Sequence, residues 1–206
     1  MIYPKHTPEI IKPFAKNLVF DLPNDEHRIY LTFDDGPHPE ITPWVLDQLQ
    51  QYQAQATFFL IGENAGARPN TVKEIMANGN TIGNHSYRHL NGWTTNNDVY
   101  FKDIEQCAEI VPSNLLRPPY GRITQAQSER LKSDYRIIMW TDLSADFDQK
   151  VSVEQCVAHA TKKIKSGSIV VFHDSEMAWP TLKKALPRCL SYYREQGFTM
   201  SPIILD

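Results

Sequence analysis

Long apolar runs are missing from this chain of 206 residues. No stretch approaches the roughly 18 uninterrupted apolar residues of a membrane-crossing helix, so no membrane-spanning segment is expected. Pro4, Glu9, Lys12 and Pro13 interrupt the stretch from Met1 to Phe20, where a signal peptide needs an unbroken apolar core. The chain as given is therefore expected to be soluble and cytoplasmic, with export of a longer precursor left open. Cysteine is scarce: Cys107, Cys156 and Cys189 are odd in number, far apart and without C-x-x-C spacing. They suggest neither a thiolate zinc site nor a disulfide framework, and each is expected in the core. Charge of one sign is not in excess either, since the formal net charge is −3. That leaves no basic patch for nucleic acid and no acidic tail. Low-complexity segments, linkers and internal repeats are absent, and nothing in the sequence sets the oligomeric state.

What is present is ordinary globular composition, 41% hydrophobic and 22% charged. The length suits a single domain over residues 1–206 with a sizeable core, in which 1–27 form a proline-interrupted N-terminal arm. From there strand-like and helix-like stretches alternate to the end, which predicts an α/β fold. Seven strands are expected: Arg28 to Phe33, Ala56 to Ile61, Thr81 to Gly83, Leu115 to Arg117, Arg136 to Trp140, Ser168 to Phe172, and Phe198 to Ile203. Thr42 followed by Pro43 predicts a helix start, Asn70 another, and Asn78-Gly79 a helix stop. Phe101, Ile104, Ala108 and Val111 recur at helical spacing. Thr124 with Gln127, and Ser152 with Gln155, fit capping boxes. Pro187 is expected to break the last helix. A series of βα units closes into a barrel whose functional face lies at the C-terminal ends of the strands.

The suggestive polar residues fall just after strands. Asp34 and Asp35 precede Gly36-Pro37, and two adjacent strand residues can serve one site only if the chain turns between them. Alone, such a pair is more simply an Asx-turn. His85 and His89 are four apart, which a helical turn would place on one side as two imidazole ligands, although that spacing by itself is a weak signal. Arg117-Pro118-Pro119-Tyr120-Gly121 ends a strand in a rigid loop that offers a fixed cation and backbone N–H groups. His173-Asp174 emerges from a buried strand. Asp142, Asp146 and Asp148 alone would suggest an acidic loop.

In order, Thr32-Phe33-Asp34-Asp35-Gly36-Pro37, His85-Ser86-x-x-His89, Arg117 to Gly121, Asp142 to Asp146, and Val171-Phe172-His173 resemble the five motifs of the polysaccharide deacetylase family. This is the NodB homology domain of carbohydrate esterase family 4. The resemblance implies a distorted (β/α)7 barrel and a metal-dependent hydrolase that removes N-linked acetyl groups from an N-acetylglucosamine-containing glycan. It implies a divalent ion, zinc or else cobalt or similar, on Asp35, His85 and His89. Asp34 matches the general base, Arg117 the arginine that orients it, and the backbone N–H near Tyr120 the oxyanion contact. His173 matches the general acid and Asp146 the carboxylate that keeps it protonated. Two positions depart from the family pattern: Phe147 stands where tryptophan is usual, and Val171 where leucine is usual. Phe147 keeps an apolar wall without an indole donor, and Val171 shortens the pocket that receives the acetyl methyl.

Two rivals share these residues. A deformylase or amidohydrolase acting on a lipid-linked or small amide would keep the metal and change the pocket. A catalytically silent carbohydrate-binding module would keep the fold, but it has no use for Asp34, Arg117 and His173. Tyr87, Trp93 and Trp179 lie near the motif-bearing loops as candidate platforms for sugar rings.

Overall fold

The computed structural model describes residues 5–10 and 15–204. Pro4, Lys12 and Pro13 of the arm lie outside these. Among the described residues nine strands form one sheet, and every ladder pair in it is parallel. They are β1 (Leu18–Val19), β2 (Arg28–Asp34), β3 (Ala56–Leu60), β4 (Thr81–Asn84), β5 (Leu115–Leu116), β6 (Arg136–Ile138), β7 (Asp142–Leu143), β8 (Ile169–His173) and β9 (Thr199–Met200). Their order is β1-β6-β5-β4-β3-β2-β8-β7, with β9 paired to the start of β2. Between them run α1 (Ile41–Gln51), α2 (Gly62–Ala67), α3 (Pro69–Ala77), α4 (Asn97–Ala108), α5 (Gln125–Leu131), α6 (Val153–Thr161) and α7 (Trp179–Glu195).

Strands β2 to β8 are the seven of the expected barrel, but they are not the seven predicted. β7 falls where an acidic loop was read, and the last predicted strand is β9, off the main path. The sheet curls strongly. Arg117, at the end of β5, reaches Asp34 on β2 although β3 and β4 lie between those strands. Alternation along the strands sorts the two faces. Leu31, Phe33, Phe58, Val170 and Phe172 pack with the helices, whereas Tyr30, Phe59, Ile169 and Val171 fill the inside of the curl. Thr32 and Asp34 share the parity of Tyr30, so the curl, and not the helix layer, receives the first carboxylate.

Both predicted capping boxes form, at Thr124–Gln127 and Ser152–Gln155. Two other expected caps do not. Helix α1 starts at Ile41 with Glu40 as its cap, and Thr42 lies inside it, accepting a hydrogen bond from the His38 N–H. Helix α3 starts at Pro69, so the proline and not Asn70 sets its first turn. Helix α7 runs through Pro187. Interior proline costs ~3 kcal/mol, and the buried face of Leu182, Leu186, Cys189, Leu190 and Tyr193 offsets it, at about 1.5–3 kcal/mol per large side chain. The Tyr193 hydroxyl also donates to the Ala160 carbonyl of α6. All three cysteines are free and buried, and burial pushes their thiols well up.

The described part of the arm is docked. Leu18–Val19 extends the sheet beside β6, the Thr7 hydroxyl donates to the Trp140 carbonyl, and His6 pairs with Asp142. No helix among the described residues is long and apolar enough to cross a membrane.

Candidate active site

The two adjacent aspartates separate because the backbone reverses between them. Asp34 ends β2 facing the inside of the curl, and Asp35 takes a left-handed φ of 78°. The Asn64 side-chain amide of α2 donates to the Asp35 carbonyl at 2.8 Å and holds this turn. Asp35 therefore points away from its neighbour and towards the histidines.

Those histidines do not lie on a helical turn. His85 follows β4, its N–H prolonging the β3–β4 ladder to the Leu60 carbonyl, and the next residues form an irregular loop. Left-handed backbone at Ser86 (φ 60°) and His89 (φ 58°) folds that loop back, bringing the two rings to a centroid distance of 4.9 Å. Buried Asp103, from α4, pins it: one carboxylate oxygen accepts the N–H groups of Tyr87 and Arg88 at 2.9 and 3.0 Å, and the other accepts Arg88 Nε. Asn84 adds a second clamp, accepting the Ser86 N–H while donating to the Ile104 carbonyl.

The result is a compact donor set. Asp35 Oδ1 lies 3.3 Å from His89 Nε2 and 3.6 Å from His85 Nε2, and one ligand atom from each of the three falls within 4.8 Å of the others. His85 Nδ1 is 2.8 Å from the Arg117 carbonyl, so this nitrogen carries the hydrogen and leaves Nε2 with its lone pair free. Burial draws His89 down to about 4, which keeps it neutral at physiological pH. Neutral imidazoles and a carboxylate are the protonation states a divalent ion requires. The donor set fits such an ion.

Arg117 is fully buried and uses all three nitrogens of its fork. Nε donates to the Ile138 carbonyl, Nη2 to the Met139 carbonyl, and Nη1 to Thr32 Oγ1 and Asp34 Oδ1, the last at 2.8 Å. The guanidinium lies 4.2 Å from the centre of the Phe59 ring. Burial opposes ionisation of Asp34, but the charge of Arg117 outweighs it and holds the carboxyl below its usual value. Asp34 is a fixed, ionised acceptor.

His173 ends β8 beside it, paired in register with Asp34. Its Nδ1 is 2.8 Å from Asp146 Oδ1, and Asp146 Oδ2 accepts the His173 N–H. Burial works against the imidazolium, yet Asp146 outweighs it and His173 is pushed up to about 9. Phe147 packs edge-on against the ring. Asp142 goes elsewhere, bound to His6.

Tyr120 stands at the lip, half exposed, with φ 60° and its ring 4.5 Å from that of His89. The N–H groups of Gly121 and Arg122 turn back onto Pro118 and Pro119, so the Tyr120 N–H takes no part in those two bonds. A cavity of about 600 Å³ joins Asp34, Asp35, His85, His89, Tyr120 and His173, with Arg117 and Asp146 supporting it from beneath; Leu143, Phe147, Val171 and Met177 form its apolar side. Of the three aromatic candidates, Tyr87 and Trp179 are packing residues, Tyr87 against the core and Trp179 edge-on against Trp44. Trp93 remains 62% exposed, with its indole N–H fixed to the Ile123 carbonyl.

Thr32 was read only as part of the first motif, without its bond to Arg117, and Asn64 and Asn84 carry no distinctive spacing. Asp103 does leave a trace, as an acid on the Tyr100–Ile104–Cys107 face of α4 that should otherwise be apolar. Asp174, noted only as the neighbour of His173, is fully buried, and burial pushes its carboxyl up to about 8. Thr42 donates to it, and Gly36 packs so closely that a Cβ there would sit 2.2 Å from Asp174 Oδ2.

A sequence profile of the polysaccharide deacetylase family matches residues 21–135, more than half of the chain. A peptidoglycan-N-acetylglucosamine deacetylase of Bacillus cereus is 35% identical over 188 residues, with 88% of each chain covered. A chitooligosaccharide deacetylase of Bradyrhizobium is 27% identical over 215 aligned positions, covering 95% of this chain and 97% of the relative. Several other relatives are longer, and the chain spans 59% and 43% of two of them. The crystal structure of the Bc1960 peptidoglycan N-acetylglucosamine deacetylase, in complex with 4-naphthalen-1-yl-N-oxidanyl-benzamide, superposes with a TM-score of 0.86. It is 32% identical, and the match covers 93% of this chain and 94% of that one. Sequence, fold and the order of residues around the curl agree, and this chain belongs to the polysaccharide deacetylase family.

Proposed function

We propose that the chain is a divalent-metal hydrolase that removes N-linked acetyl groups from an N-acetylglucosamine-containing glycan of the peptidoglycan or chitooligosaccharide type. One observation carries the reading: at the C-terminal ends of β2 and β8, one proton-transfer group is held ionised and the other held protonated, beside a three-ligand donor set. Opposite protonation states at one pH are what an acid and a base in the same reaction need.

Asp35, His85 and His89 would hold the ion. Zinc suits two imidazoles and a carboxylate, with cobalt as a substitute. When bound, such an ion polarises a carbonyl and eases deprotonation of water. Asp34, positioned by Arg117, takes the proton of the attacking water. The Tyr120 N–H supports the developing oxyanion. His173, kept charged by Asp146, gives its proton to the departing sugar nitrogen. Val171, Leu143 and Phe147 offer the apolar contact for the acetyl methyl. Beyond the cavity, Trp93 with Arg122 stacked 5.2 Å from its ring centre supplies a fixed platform on which a further sugar can lie.

Acetate release from chitooligosaccharides of increasing length, from peptidoglycan and from acetylxylan tests the reading. Activity should rise with chain length on the N-acetylglucosamine substrates, disappear on chelation and return with zinc or cobalt. Faster release of formate or acetate from a small amide, flat across the glycan series, would overturn it.

A further inference from the structure

Arg68 stands on the cavity wall, and none of the steps above uses it. It closes α2 and precedes α3, and its guanidinium reaches only the Asn64 carbonyl at 3.5 Å and Asn64 Oδ1 at 3.4 Å, both near the outer limit of a hydrogen bond. Among the described residues no carboxylate pairs with it. Every acid at the cavity is engaged elsewhere. Asp34 serves Arg117, Asp35 faces the histidines, Asp174 receives the Thr42 hydroxyl, and Glu176 at the rim faces His38 at 3.5 Å.

A partly buried arginine loses hydration without a return unless an anion arrives, and its planar fork is shaped for a carboxylate. Asn64 links it to the chemistry, because the same side chain holds the Asp35 carbonyl. An anion on Arg68 would therefore lie beside the acetamide being cleaved.

Resting on the deacetylase reading, we propose that Arg68 is a specificity residue that receives a carboxylate carried by the sugar next to the one deacetylated. The substrate class is then an acidic glycan, such as one in which N-acetylglucosamine alternates with a lactyl-bearing N-acetylmuramic acid, in preference to a neutral chitooligosaccharide. The unpaired arginine is a built preference for charge and not for sugar identity.

The test compares two tetrasaccharides of alternating N-acetylglucosamine and N-acetylmuramic acid, one with free lactyl carboxylates and one with the same groups as primary amides. Wild-type kcat/KM should favour the acid by about tenfold or more, the worth of a charge-assisted pair. The acid-to-amide ratio should fall towards one in Arg68→Gln and be partly kept in Arg68→Lys. An unchanged ratio in Arg68→Gln, or an equal loss on both substrates, would overturn the inference while leaving the deacetylase reading intact. If wild type deacetylates neither, that reading fails on its own. Calorimetric titration of both tetrasaccharides then decides for Arg68, and equal affinities in wild type and Arg68→Gln would dismiss it.

Discussion

Single residues do their work here through neighbours that fix their charge. His173 would be a poor acid if its imidazole were neutral, and burial alone would make it so; Asp146, at 2.8 Å, reverses that and raises it to about 9. Because the folded value lies above the unfolded one of about 6.5, the pair contributes stability that is fully present below pH 6.5 and lost as pH rises through 9. Catalysis should follow the same proton. Activity is expected to fall on the alkaline side at or below pH 9, since a bound cation lowers the value further. Asp146→Asn should shift that alkaline limb towards acid and lower kcat by roughly 10²–10⁴-fold. A pH–rate profile of the variant with its alkaline limb unmoved would show that Asp146 does not control the proton on His173.

At the scale of elements, function depends on segments that the hydrophobic pattern does not describe. Strands β2, β3 and β8 were legible because parallel strands buried on both faces read as near-continuous apolar runs. The two-residue strand β7 and the Gly-Ala segment of α2 leave no such mark. Periodicity also misled at His85 and His89: their spacing suggested a helical turn, whereas left-handed backbone at Ser86 and His89 achieves the convergence. Positive φ at a serine has no sequence signal, and at a histidine only a weak one. What holds this costly loop is α4, through the Asp103 carboxylate. Asp103→Ala should leave the Arg88 N–H and guanidinium without their acceptor, keep only the Asp103 main-chain carbonyl for the Tyr87 N–H, and weaken metal affinity by about 10–100-fold, a supporting-residue effect. Chelator competition reads this directly, and unchanged affinity with native circular dichroism would show that the loop holds itself.

Across the whole molecule, the curl of the sheet turns five short segments into one site. Each motif lies at or just beyond the C-terminal end of a strand, so their order along the chain and their place at one end of the barrel could be read together. The buried arginine that proves the curl, Arg117, was legible through its Pro-Pro-Tyr-Gly context. Asn64 and Arg68 were not, because they come from α2 and its junction with α3, which no motif flags, and only the folded cavity puts them beside Asp35. The central claim is that neighbouring carboxylates hold different offices, Asp34 moving a proton and Asp35 holding the ion. Metal content and turnover of Asp34→Asn and Asp35→Asn, measured side by side on one N-acetylglucosamine substrate, test it most directly. Asp34→Asn should retain stoichiometric metal and lose turnover, whereas Asp35→Asn should lose metal and turnover together. Equal metal loss in both variants, or full turnover in Asp34→Asn, would contradict the account.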